Sequence, residues 1–193
     1  MLHIGIDFGA KLAGTTVICW LMEGKLYTDA CPKKVDADQW LVQRITDLNP
    51  QAIYIDAPLS IPAVYGNPTA HSDYFYRKAD RLTQAMSPMF LGGLTARAMQ
   101  LRRTCDLFEI RMYEVYPGFL VKSIGLTENY NKKDPSKIKY FLHDFAEVCP
   151  NSLAHAPDSW HAVDAVLAWW SGFRHINGLS IQLGDEAEGV IIV

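Results

Sequence analysis

The stretch LHIGIDFGAKLAGTTVICWLMEGKLYTDACPKKVDADQWLVQRITDLNPQAIYIDAP, residues 2–58, carries the fold in the order of its patterns. Residues 2–8 (LHIGIDF) read as a buried strand, and 15–21 (TTVICWL) and 25–30 follow as further strands. Glu23-Gly24 marks a tight hairpin between the second and third, so the three form an antiparallel meander. Asp36 or Asp38 then caps a helix to about Leu48, in which Trp40, Leu41, Ile45 and Leu48 recur at helical spacing. A short apolar strand, Ala52 to Asp56, stops at Pro58. This order is that of a mixed sheet in which a helical crossover lays the fourth strand parallel to the first and beside it.

Beyond residue 58 helices dominate, at about 73–86, 93–108 and 134–147, with Ile110 to Tyr116 as a strand and a final helix from about Ser159 to Arg174. The expected fold is α/β, a mixed five-stranded sheet of three antiparallel strands followed by parallel ones, flanked by helices. No internal repeat or Gly/Ser linker divides the chain, so a single domain over 1–193 is expected, with a helical, basic insertion at about 71–109. The terminal run Val190–Val193 reads as an added edge strand or as a contact with a second copy, which leaves a homodimer open; a disordered tail is not expected.

Composition sets the outer limits. With 193 residues, 49% hydrophobic and 20% charged, the chain can bury a core and is not intrinsically disordered. Its apolar runs are far short of the roughly 20 residues a bilayer crossing requires, so no membrane partner is expected. The N-terminal MLHIGIDFG lacks the basic and apolar regions of a signal peptide, which points to a cytoplasmic protein. Cys19, Cys31, Cys105 and Cys149 form no CxxC pair and read as buried reduced thiols. A net charge of −3 weighs against a strongly basic nucleic-acid binder, yet residues 71–140 hold 12 Lys and Arg against 7 Asp and Glu and leave the remainder at −8. That split suits a basic flank beside an acidic centre; alternatively Arg77, Lys78, Arg81, Arg102 and Arg103 are only solvated helix faces.

Acids fall where polar residues need a reason. Asp7 ends the first strand in Gly5-Ile6-Asp7-Phe8-Gly9, either as a turn-forming residue or as a functional acid. Asp56 ends the fourth strand, and adjacent parallel strands would bring it beside Asp7 at one sheet edge. Two neighbouring buried carboxylates repel, and a hard divalent cation such as Mg²⁺ or Mn²⁺ converts that repulsion into binding. Asp164 stands among Ala162, Val163, Ala165, Val166 and Leu167, so it is partnered or functional; His161, three residues earlier, shares its helix face. Asp158 reads as the cap of that helix. Glu114 interrupts an apolar and aromatic strand stopped by Pro117, as a further metal ligand, a substrate contact or an exposed residue.

Together these segments resemble the ribonuclease H-like superfamily, and within it the sequence is similar to domain-of-unknown-function family 429, described as predicted RNase H-like nucleases. More distantly it resembles RuvC-type Holliday-junction resolvases. The segments that carry the resemblance are Gly5-Ile6-Asp7, Ile55-Asp56-Ala57-Pro58, Arg77 with Asp80, Glu114-Val115-Tyr116-Pro117 and His161 through Ala165, which span nearly the whole chain. The resemblance implies a nuclease cleaving phosphodiester bonds of DNA or RNA, with Asp7, Asp56 and Asp164 as ligands of two Mg²⁺ or Mn²⁺ ions. It implies that His161 ligates metal or moves protons. Lys11, Arg77, Arg81 and Arg97, with Lys78, would hold phosphates, and Tyr74, Phe75 and Tyr76 would stack on exposed bases. Two other readings stand beside it: a non-catalytic module binding a nucleotide or a partner protein, and a phosphotransferase related to the actin-like ATPases, which also begin with a glycine-flanked Asp.

Overall fold

A computed structural model describes residues 2–193. The first three strands, β1 (His3–Asp7), β2 (Val17–Met22) and β3 (Lys25–Ala30), form the expected antiparallel meander. Glu23 and Gly24 both take positive φ, 50° and 76°, the conformation a two-residue hairpin needs to match strand twist. Helix α1 (Ala37–Leu48) starts at Asp36, whose carboxylate accepts from the backbone of Asp38 and Gln39, and it buries Ala37, Leu41 and Ile45. It leads into β4 (Ala52–Asp56), which lies parallel to β1 in a register that pairs Asp7 with Asp56.

Between β4 and the next strand, β5 (Arg111–Val115), run α2 (Lys78–Thr83), α3 (Pro88–Leu91) and α4 (Gly93–Asp106). The single helix expected at 73–86 is therefore much shorter. Asp73 accepts from the backbone of Phe75 and Tyr76 in a turn before it, and Gln84 closes α2 in the left-handed region at φ 58°. Helix α5 (Pro117–Ser123), which the sequence reading missed, starts with a proline at its first position, where the absent N–H has no partner to lose. Next come α6 (Ile138–Ala146), the two-residue strand β6 (Ser152–Leu153) and α7 (Trp160–Ile176). Ser159 rather than Asp158 caps α7, its hydroxyl accepting from the Ala162 backbone. The chain ends in a hairpin, β7 (Gln182–Asp185) and β8 (Gly189–Ile192).

The sheet has eight strands rather than five, in the order β6-β3-β2-β1-β4-β5-β8-β7. The first four strands keep the expected neighbours, and β5 pairs parallel with β4. The extra ones extend both edges: β6 pairs parallel with β3, and β8 pairs parallel with β5 and carries β7. The terminal apolar run is thus built into the sheet, with Ile191, Ile192 and Val193 buried.

Alternation along the strands separates two faces. Ile4, Ile6, Ile53, Ile55 and Met112 pack with Leu41 and Ile45 of α1 and with Ala98 and Leu101 of α4. Cys19 and Val17 pack with α7 and α6 on the other side, and Tyr54 with Ala168 of α7. Gly5 lies under α7. A Cβ added there would stand 2.1 Å from the Trp169 nitrogen and 2.4 Å from the Ala165 oxygen, so the helix rests directly on the β1 backbone. Among the described residues no helix is long and apolar enough to cross a membrane, and all four cysteines are buried free thiols.

Because the atoms that Gly5→Ala would meet are backbone, the change is expected to cost more than ~3 kcal/mol and to lower Tm by roughly 6–12 °C. Thermal denaturation reads this directly, and an unchanged Tm would mean that α7 stands farther from β1.

Candidate functional site

Asp7, Asp56 and Asp164 meet at the carboxyl ends of β1 and β4, where one carboxylate oxygen from each lies within 4.8 Å of the others. Three local rules produce this. The parallel register sets Asp7 beside Asp56 on the face covered by α7, the face to which Gly5 also belongs. On α7, His161, the adjacent Asp164 and Ala165, then Ala168 and Gly172 follow at steps of three or four residues and so lie along one side of the helix. The close seat on Gly5 then lowers Asp164 to the strand ends.

Asp7 and Asp164 are buried, and Asp56 is partly so. Burial, then the charges of Asp7 and Asp164, push Asp56 well above the usual carboxylate range. Burial also raises Asp164, to about 6, against the opposing pull of Lys132. His161 Nδ1 lies 2.7 Å from Asp7 Oδ2, and this hydrogen bond raises the imidazole above its ordinary value. The His161 side chain is half-exposed, so the pair joins the buried acids to solvent.

Two further residues belong to this site that sequence reasoning missed. Lys132 Nζ makes an ion pair with Asp164 Oδ2, and the Tyr130 hydroxyl donates to Asp164 Oδ1 at 2.6 Å. Burial opposes the charge on Lys132, but Asp164, Asp56 and Asp7 outweigh it and raise its pKa. Both residues come from the loop between α5 and α6, more than thirty positions before Asp164, and no spacing rule links them to it. A cavity of about 240 Å³ opens beside Asp7 and Asp56, walled by Phe8, Pro58, Met86, Leu91, Leu94 and Tyr116.

The structure corrects several expected roles. Glu114 pairs in register with Ile55, so it shares the Ile55 face and points away from the face of Asp7 and Asp56. Both its oxygens are taken by Arg77, at 2.6 and 2.7 Å, and the Leu59 backbone N–H donates to it as well. Glu114 is therefore no ligand of the triad. Arg77, expected to hold phosphate, is fully buried: Nε and Nη2 bond Asp80, Nη1 bonds Ser60, and Nη1 and Nη2 clasp Glu114. All five of its N–H groups are used, and none faces a ligand.

Of the remaining expected phosphate contacts, Lys78 is exposed and the other three are ion-paired. Arg97 forks onto Asp38, donates to the Gly9 carbonyl and covers the Phe8 ring. Arg81 pairs with Asp73 and lies 3.8 Å over the Tyr76 ring. Lys11 reaches Asp36 at 3.0 Å. Arg81 and Lys11 remain largely exposed, so their ion pairs are screened by solvent.

No protein-family model matches this chain, and no curated protein matches it in sequence.

Removing Arg77 would strand Glu114 and Asp80 as buried charges. Arg77→Met is expected to cost about 3–5 kcal/mol, read as the urea midpoint at constant m. A loss below ~1 kcal/mol would contradict the network.

The triad also gives stability a pH dependence. Asp164 ionises at about 6 in the folded chain against an ordinary 3.8, so the native state holds the extra proton in that interval and stability falls as pH rises through it. With EDTA present, the urea midpoint is expected to fall over this interval, and to fall less steeply for Asp164→Asn. Equal slopes for the two proteins would rule out that titration.

Proposed function

We propose that the protein is a metal-dependent nuclease of ribonuclease H-like architecture, hydrolysing phosphodiester bonds of DNA or RNA at Asp7, Asp56 and Asp164. The observation that carries the reading is the convergence of three carboxylate oxygens within 4.8 Å at the ends of β1 and β4, contributed by two parallel strands and a helix far apart in sequence. The central order β3-β2-β1-β4-β5 supports the architecture.

The donor set fits Mg²⁺ or Mn²⁺. It offers only hard carboxylate oxygens, and mutual repulsion with burial already makes the ionised form of Asp56 costly, so added positive charge relieves the site. A divalent cation held there supplies Lewis-acid stabilisation of charge on the phosphate and a water of lowered pKa. The side chains do the rest. Asp7 fixes the imidazole of His161 through Nδ1, and the pair keeps a proton available at the solvent edge of the site. In this reading His161 exchanges that proton with the attacking water or the departing oxygen.

Two surfaces support a nucleic-acid substrate. Tyr74 and Phe75 are exposed; Tyr74 stands edge-on to Tyr65 and Phe75 against Phe90, each with ring centroids 5.8 Å apart, which offers faces to unpaired bases. Lys78 and Arg81 are exposed beside them in sequence.

Incubation with single-stranded, duplex, hybrid and branched nucleic acids in Mg²⁺ or Mn²⁺ tests the proposal. Wild type is expected to cleave one of these classes. Asp7→Asn, with its fold checked by circular dichroism, is expected to lose activity by roughly two to three orders of magnitude, the scale of removing one electrostatic contact to a transition state. Cleavage undiminished in Asp7→Asn would overturn the assignment. Metal binding without cleavage of any substrate would favour a non-catalytic module.

A further inference from the structure

Lys132 is the feature of the site that three carboxylates alone do not explain. Its ammonium sits on Asp164 Oδ2 while the Tyr130 hydroxyl takes Oδ1, so one loop occupies both oxygens of the most deeply placed acid. That loop is tied at both sides of Lys132. Asn129 donates to Asp144 of α6 at 2.9 Å, Lys137 reaches back to Asn129 at 3.2 Å, and the Trp160 indole donates to the Asp134 carbonyl at 3.2 Å. Lys132 itself is the part open to solvent: its side chain is 49% exposed, against 2% for Asp164, and among the described residues no second carboxylate pairs with it. Its ammonium lies over the Tyr130 ring, with Nζ 5.5 Å from the centroid.

We propose that Lys132 is the site's internal counter-ion, holding Asp164 Oδ2 in the metal-free protein and yielding that oxygen when a divalent cation binds. The inference rests on the metal-binding reading above and adds a competitor to it. Three converging carboxylates carry more negative charge than His161 can balance, and an ammonium on a flexible stem balances it reversibly. A divalent cation at the same oxygens repels the ammonium, which has solvent on its open side. Once released, Lys132 lies at the mouth of the site, where a phosphate oxygen of the substrate can take the place Asp164 gave up. Tyr130, neutral and donating to the other oxygen, keeps Asp164 oriented through the exchange.

The test is Mn²⁺ binding by calorimetry, with Tm measured in EDTA and in saturating Mn²⁺, for wild type, Lys132→Met, Lys132→Gln and Lys132→Arg. The Met and Gln variants are expected to lower Tm in EDTA, to bind Mn²⁺ roughly tenfold more tightly or better, and to regain wild-type Tm with the metal bound. Lys132→Arg keeps a competing charge and is expected to bind no more tightly than wild type. Two neutral variants are included so that one failing to fold leaves the other to decide. Mn²⁺ binding by wild type with equal or weaker binding by the neutral variants overturns the counter-ion role and leaves the metal reading standing. No binding by any of these proteins overturns both.

Discussion

The seat of α7 on Gly5 is the contact from which the rest of the site follows. Helix and strand backbones meet with no side chain between them, and Asp164 comes one residue before the contact point. An acid there reaches the strand ends instead of standing above them. The seat continues along the helix: a Cβ on Gly172 would stand 2.4 Å from the Tyr54 ring, and His3 bonds the Trp169 carbonyl at 3.0 Å while stacking on its ring. Nearly every residue from Trp160 to Gly172 is buried, and this apolar area offsets the cost of bringing acids into the interior.

Those acids are held where they repel each other, which is a property of the site and not a defect of packing. Asp56 is pushed up by burial and by both neighbours, and Asp164 by burial against the pull of Lys132. A fold that needed only stability would place apolar residues at these three positions. Keeping three carboxylates together is sensible when positive charge comes and goes there, and the groups around them are suited to that: a half-exposed imidazole on Asp7 and a half-exposed ammonium on Asp164.

What the sequence revealed was what periodicity and adjacency control. Alternation and the crossover rule placed Asp7 beside Asp56, and helical spacing joined His161 to Asp164. Glu114 went astray because its face depends on the register of β5 against β4, which pairs it with Ile55 and which no local pattern reveals. Strands β6 and β7 are short and carry polar residues and a glycine, so pairing with existing edges creates them rather than any intrinsic alternation. Arg77 looked like a surface cation by residue type. Its burial requires Ser60, Asp80 and Glu114 to meet around it, a coincidence visible only in three dimensions. Lys132 and Tyr130 escaped notice for the same reason.

Two acidic groups stand at neighbouring strand ends, and the cation beside each decides its character. Around Glu114 and Asp80 the cation is an arginine, which keeps its charge at any ordinary pH and whose planar fork is saturated by five bonds in a fully buried position. No ion can displace it without leaving several buried donors unpaired, so that cluster is permanent and ties α2 to β5. Asp164 is met instead by a lysine, a point charge on a flexible stem, in contact with solvent and using one carboxylate oxygen. Glu114 still adds to the potential that raises Asp56, though more weakly than Asp7 and Asp164 do, as its place on the opposite face of the sheet should leave it. The fixed cation thus confines one acidic group to a structural role, whereas the counter-ion of the triad is a half-exposed lysine held at one carboxylate oxygen.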